Sequence, residues 1–463
     1  MEIDKIKKGI RLIFVDFFGL VIGILNGFFL PMAFSIDGYA LFKTFTLYVT
    51  YAAVFSFGLS NGIYLLYGGK DEAEVDISKT KTYYFFLMKL QVVVCGIMFI
   101  LSYFILKDKA LIFFSLIIFP LQLIDFLRLY YRALGEFNKY SFLQAILVTF
   151  ELLNTLFIVF YVKSQNPDLF IVIKILNHFV VAVLFSLLFF RRDKVVKAAK
   201  LKCKDYFIVM KPGFVVLIAD LMVTLIFSID RWFIKSLFSV EEFAFYSFAV
   251  SILTLFLVFI TSVTNIFYSS ISKKLQDSKY IADLKNCILI ISSFFPVSYF
   301  LLEYIVKAYL VRYVAALEVL WILILMLPFV SVINVLYINL YKASKSIKIY
   351  FKNMVVILVI YFILIILAYI MIGTTAAVAW ATFVVFVIWY FYSSYAFQGL
   401  KINMREVIYL LVLIAGFICI KAANLNLFLS VAITSVVLTA NVMIFYKKDV
   451  IGMLKALRVG TND

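Results

Sequence analysis

Apolar residues along this chain come in blocks of roughly 20, the length an α-helix needs to cross ~30 Å of hydrocarbon, with short polar stretches between them. Barrel strands would be about half as long and would alternate in polarity. Helices satisfy their own backbone polar groups in lipid, so the blocks predict an all-α membrane protein of about fourteen transmembrane helices. The spans expected are 10–33, 40–67, 83–106, 110–131, 141–162, 168–190, 212–234, 243–269, 286–308, 315–340, 350–372, 375–398, 406–421 and 425–446.

One pattern inside these blocks is written twice. FSIDGYALFKTF (Phe34 to Phe45) returns 204 residues later as FSVEEFAFYSFA (Phe238 to Ala249). At the same offset Asp16 meets Asp220, Asp37 meets Glu241, Ser60 meets Thr264, Asn61 meets Asn265 and Tyr64 meets Tyr268. A second echo, at an offset of 210, links YRALGEFNKY (Tyr131 to Tyr140) with YKASKSIKIY (Tyr341 to Tyr350). Six spans per copy is an even number, so both copies enter the membrane the same way, related by a pseudo-twofold axis along the membrane normal. The expected organisation is an N-lobe at 1–190, a basic cytoplasmic linker at 191–211, a C-lobe at 212–400, and appended spans thirteen and fourteen with a tail at 401–463. Two like-oriented lobes around a central site are a transporter architecture; an old duplication kept only for packing explains the repeat equally well.

Charge orients the spans. With both termini on one side, and edge residues counted with the connection they adjoin, that side holds 31 of the 43 Lys and Arg, the opposite side 7 and the spans 5. The positive-inside rule makes the first side cytoplasmic. Much of the +17 formal charge lies there, notably in RRDKVVKAAKLKCK (Arg191 to Lys204). Beside a span, such a run reads as a topology signal near anionic lipid rather than a nucleic-acid surface. No external connection exceeds about 16 residues, which leaves no room for a soluble catalytic domain.

Ten ionisable residues nevertheless fall inside spans: Asp16, Lys43, Lys89, Asp125, Arg128, Glu151, Lys174, Asp220, Asp230 and Arg231; His178, the only histidine, joins them. Facing lipid near the mid-bilayer, each charge would cost ~2.5–3.5 kcal/mol on the insertion scale. They are therefore expected to face water or one another, in the first lobe and span seven. Spans nine to fourteen look almost free of buried charge apart from Glu303 and Lys307, and spans thirteen and fourteen look lipid-facing. Asp125, Arg128 and Arg132 share a helical face at i, i+3, i+7, where two arginines can grip a phosphate with forked donors or Asp125 can simply pair Arg128. Lys174 and His178 lie at i, i+4, deeper in the bilayer. Asp16 and Asp220 sit at equivalent depths, as a coupling pair whose pKa desolvation would raise or as partners of nearby bases. Asp230–Arg231 reads as a gate or a rim pair. The four cysteines show neither a disulfide framework nor a zinc pattern, and the basic N-terminus leads into a first span rather than a signal peptide. Mean hydropathy of +1.07 and 65% hydrophobic residues agree with all of this.

SIDRWFIKSLFSVEEFAFYSFAVSI (Ser228 to Ile252) resembles the seventh-to-eighth-span signature of polysaccharide-export flippases, and LYYRALGEFNKYS (Leu129 to Ser141) resembles their fourth-loop element. The chain thus looks like a Wzx-type O-antigen flippase of the multidrug/oligosaccharidyl-lipid/polysaccharide exporter superfamily. The resemblance implies a non-enzymatic carrier in the bacterial inner membrane. It would move an undecaprenyl-pyrophosphate-linked oligosaccharide from the cytoplasmic to the periplasmic leaflet by alternating access, with proton or sodium coupling and no resident cofactor. Membrane lipids, a polysaccharide polymerase and a chain-length regulator are the implied partners. In that frame Arg128, Lys174, Arg231, Lys43, Arg132, Asn61 and Asn265 bind substrate, while Asp16, Asp220, Asp125, Glu151, Asp230 and His178 couple or gate; Asn26 and Asn154 join in holding sugar. Two relatives compete: a cation antiporter using the carboxylates, and a flippase of peptidoglycan precursors. A membrane ligase of lipid-linked glycans would need a large external loop, which the chain lacks.

Overall fold

The computed structural model describes residues 2–70, 74–191, 199–344, 347–397 and 400–459, and within these the side chains other than those of 2–16, 262–263, 265–270, 272–273, 342, 347–348 and 453–459. Among the described residues the secondary structure is entirely helical. In the first half the α-helices are α1 (Glu2–Ala33), α2 (Ile36–Thr50), α3 (Leu59–Tyr67), α4 (Ile77–Ile100), α5 (Lys109–Ala133), α6 (Phe137–Leu156), α7 (Asp168–Arg191), α8 (Cys203–Ile226) and α9 (Ile229–Leu237). In the second they are α10 (Val240–Lys273), α11 (Ser278–Ser292), α12 (Ser298–Tyr309), α13 (Leu317–Leu325), α14 (Leu327–Val332), α15 (Ile338–Ala343), α16 (Ile347–Met371), α17 (Thr375–Tyr395), α18 (Met404–Ala422) and α19 (Leu427–Val459).

Ten of the described helical segments are long and apolar enough to cross a membrane, and twelve if each of two bent pairs is one span. The remaining two expected spans fall on α1, with its apolar stretch Phe17–Ala33, and on α18, which carries Arg405, Glu406 and Lys421.

The duplicated dodecamers have a local cause. Each starts a helix at its serine: Ser35 Oγ accepts from the Gly38 amide at the head of α2, and Ser239 Oγ accepts from the Glu242 amide at the head of α10. In the second copy Glu242 reaches back to the Ser239 amide at 3.0 Å, which completes a capping box.

By internal contacts the chain divides into two units, Met1–Arg231 and Trp232–Asp463, with the division inside α9. In the first unit α5 is the hub, packed by α2, α3, α4, α6 and α7, while α1 lies on α6. Helix α8, the seventh span, packs on α3 in this unit. The approach is backbone to backbone: a Cβ on Gly62 would stand 2.1 Å from the Val209 carbonyl oxygen, and one on Gly213 would stand 2.0 Å from that of Gly58. Small residues permit such contact between membrane helices.

Span two breaks between α2 and α3 by 61°, at Phe57 (φ 50°) and Gly58 (φ 80°). A break in hydrocarbon frees carbonyls that need donors. Gln91 of α4 donates to the Phe55 oxygen at 2.7 Å, and Gln122 of α5 donates to that of Ala52. These glutamines supply donors to two carbonyls just before the bend.

In the second unit α10 packs on α13 and α15, α13 and α16 on α17, and α11 on α14. The expectation that this half lacks buried charge and that the last two spans merely face lipid is corrected here. Lys285 of α11 and Glu406 of α18 form an ion pair at 2.8 Å with side chains only 4% and 6% exposed. Tyr390 of α17 donates to the same carboxylate. Asp449 of α19 takes Arg405 at 2.6 Å and Asn286 of α11 at 2.9 Å. The last two helices are thus pinned to α11 and α17 by paired charges, because an apolar interface alone gives helices in lipid little reason to associate.

Candidate functional site

The break in span two and the C-terminal half of α5 enclose a cavity of about 200 Å³. At ~30 Å³ per water it has room for on the order of seven waters. Ser60 and Asn61 come from α3, and Gln122, Asp125, Arg128 and Arg132 from α5, with Tyr140 of α6 closing one side. The i, i+3, i+7 spacing read from sequence does put Asp125, Arg128 and Arg132 on one face of a continuous helix.

Arg128 is held twice, by Asp125 at 2.6 Å and by Gln144 of α6 at 3.3 Å. Arg132, one turn on, is exposed and makes no ion pair among the described residues. Ser60 Oγ and Gln122 Oε1 are buried without a hydrogen-bond partner among the described residues. Buried polar atoms are seldom left so. The cavity therefore offers a guanidinium without an ion pair, a second one paired with Asp125, and the Ser60 hydroxyl as donors to an oxyanion, while Gln122 Oε1 and the Asp125 carboxylate are acceptors on the same lining.

A second charged group lies on α6 and α7. Lys174 meets Glu151 at 2.7 Å, with side chains 18% and 21% exposed. Asn26 of α1 also reaches Glu151, at 3.5 Å, and accepts from Thr155 at 2.7 Å. His178 bonds through Nδ1 to the Lys174 carbonyl at 2.8 Å, and the side-chain charges acting on it are Lys174, Glu151 and Arg128. Lys43 of α2 stands over the rings of Tyr39 and Phe42, at 5.1 and 5.4 Å, within the fields of Arg231 and Lys174. Arg231 donates to the Phe227 carbonyl at 3.2 Å, while its Nε is buried without a partner among the described residues. Asp230 is buried and accepts from the Arg231 amide at 2.7 Å.

The sequence-level set is thus split. Asn61, Asp125, Arg128 and Arg132 share the cavity; Lys43, Glu151, Lys174, His178 and Arg231 form the neighbouring field. Asp220 and Lys89 are exposed on α8 and α4. The side chains of Asp16 and Asn265 lie outside the described residues. Asn154 is buried and holds the Phe170 carbonyl at 3.0 Å, a bond within the helix bundle. Sequence reasoning does not single out Gln122, Ser60 or Tyr140 as site residues; a glutamine two positions after Pro120 in an apolar span is the available signal.

No family model and no curated relative matches the sequence. Solved structures do. The lipid II flippase MurJ in an inward closed conformation is 16% identical, with a TM-score of 0.72 over 96% of this chain and 99% of that one. An inward-facing multidrug resistance MATE family transporter of the MOP superfamily is 14% identical, with a TM-score of 0.58 over 82% and 95%. The MATE multidrug transporter DinF-BH is 10% identical, with a TM-score of 0.52 over 86% and 96%. Across nearly its whole length this chain has the fold of the lipid II flippase MurJ, and over more than four fifths of it the fold of these MATE transporters.

Proposed function

We propose that the protein is a flippase of the bacterial inner membrane that carries an oligosaccharide on undecaprenyl pyrophosphate from the cytoplasmic to the periplasmic leaflet, by alternating access. The observation that carries this reading is the cavity holding Arg128 and Arg132 beside the unpartnered Ser60 hydroxyl. A pyrophosphate and its sugars cannot cross hydrocarbon unaided, and the lipid tail can stay in the bilayer while the polar end is sheltered. The cavity matches the size of the phosphate end rather than of a whole headgroup. In this reading Arg132 engages the phosphate first, since it has no competing carboxylate. Lys43, Lys174 and Arg231 form a positive field beyond it, and Asp125, Glu151 and Asp230 keep the field near neutrality when the substrate is absent. Asp16 and Asp220 are assigned to coupling.

The test is reconstitution. Proteoliposomes loaded on one leaflet with a fluorescent lipid-linked oligosaccharide should expose it to an external quencher or lectin. Arg128→Ala with Arg132→Ala should lower that rate at least tenfold with insertion unchanged. Undiminished transport in the double variant refutes the assignment. Efflux of an organic cation without movement of the glycolipid would instead select the antiporter reading.

A further inference from the structure

We infer that a second cavity, on the opposite face of the same helix end, receives the hydrocarbon chain of the lipid whose phosphate enters beside Arg132; this rests on the reading just given. The cavity measures about 280 Å³ and is lined by Tyr130 and Tyr131 of α5, Phe142 of α6, and Phe185 and Phe189 of α7, with Lys139 at its edge. It shares no residue with the polar cavity. At 3.6 residues per turn, Arg128, Leu129 and Arg132 point to one side of α5 and Tyr130 and Tyr131 to the other. The α6 start divides the same way, Tyr140 to the polar side and Lys139 to the aromatic one. The loop motif singled out in the sequence thus builds two cavities of opposite character.

Three observations select the occupant. The lining is almost wholly aromatic and aliphatic, which suits neither sugar nor nucleotide. Its mouth is at the surface: Phe142 is 56% and Leu188 46% exposed, on helices whose remaining exposed residues are largely apolar, so the cavity opens where hydropathy puts acyl chains. Positive charge stands at the turn between the cavities. Lys139 lies over the Tyr131 ring at 5.8 Å while reaching Glu136 at 3.4 Å, and Arg132, next in the chain after Tyr131, is exposed. A chain ending in a phosphate fits across that turn, with its apolar end on the rings.

The test uses the full chain in phosphatidylcholine nanodiscs with a short polyprenyl phosphate bearing a diazirine in its first isoprene units. Cross-links should map to 130–142 and 185–189. Phe142→Ala with Leu188→Ala, both exposed positions, should reduce them at least fivefold while leaving calorimetric binding of inorganic pyrophosphate unchanged. Saturable labelling that maps elsewhere, or that phosphatidylglycerol displaces as well as unlabelled polyprenyl phosphate does, overturns the tail assignment and leaves the transport reading standing. No saturable labelling, together with pyrophosphate binding indifferent to Arg132→Gln, overturns both.

Discussion

Arg128 and Arg132 sit one turn apart, yet only the first is already engaged by a carboxylate. A charge-assisted hydrogen bond contributes ~1.5–3 kcal/mol, so losing the free guanidinium should matter most. Arg132→Gln is expected to weaken pyrophosphate binding about tenfold, the equivalent of ~1.4 kcal/mol. Asp125→Asn, which frees Arg128, should instead tighten it several-fold. Titration calorimetry on the detergent-solubilised protein reads both, and weaker binding after Asp125→Asn would mean that the acid orients the arginine rather than competing for it. At this scale the sequence is half legible. The spacing of Asp125, Arg128 and Arg132 survives unchanged because a helix preserves spacing. The pairing of Lys285 with Glu406 does not follow from any local pattern: the two stand 121 residues apart at the edges of hydropathy blocks, where a charge looks like a loop residue. Ser60 and Gln122 are equally silent, since an unsatisfied atom is a property of the packed neighbourhood and not of the residue.

Among elements, α3 and α8 meet backbone to backbone. Gly62 and Gly213 have no space for a methyl group, and forcing one into a tight contact typically costs ~1–3 kcal/mol. Gly62→Ala is expected to lower the melting temperature and to increase proteolysis between 199 and 202. Gly96→Ala, on α4 where an added Cβ meets nothing within 4 Å, should be neutral or slightly stabilising. Equal melting temperatures for the two variants would show that α8 is not seated on α3 in the membrane. Hydropathy locates both helices but gives no sign of the bend before α3. Phe57 takes a positive φ there, and glutamine side chains from two other spans bond the carbonyls of Ala52 and Phe55 just before it. The dodecamer repeat, by contrast, is legible as a repeat, and its physical content is a serine cap that begins a helix at the same place in each half.

For the whole molecule, the lysine and arginine asymmetry predicts which face is cytoplasmic. Cys203 is exposed at the start of α8, on the face assigned to the cytoplasm, and Ser164 lies in the connection on the other face. With Cys95, Cys287 and Cys419 replaced by alanine, a membrane-impermeant maleimide should label Ser164→Cys in intact spheroplasts. Native Cys203 should react only after lysis. The reverse pattern would invert the topology, and with it the direction of transport.

The seating of α8 has one more consequence. By its repeat this helix is the opening segment of the second copy, yet its one glycine, Gly213, is moulded to a helix of the first. Severing the gene at the basic linker would give a front fragment missing a wall and a back fragment with a homeless one, so the two pieces should be stable only when made together.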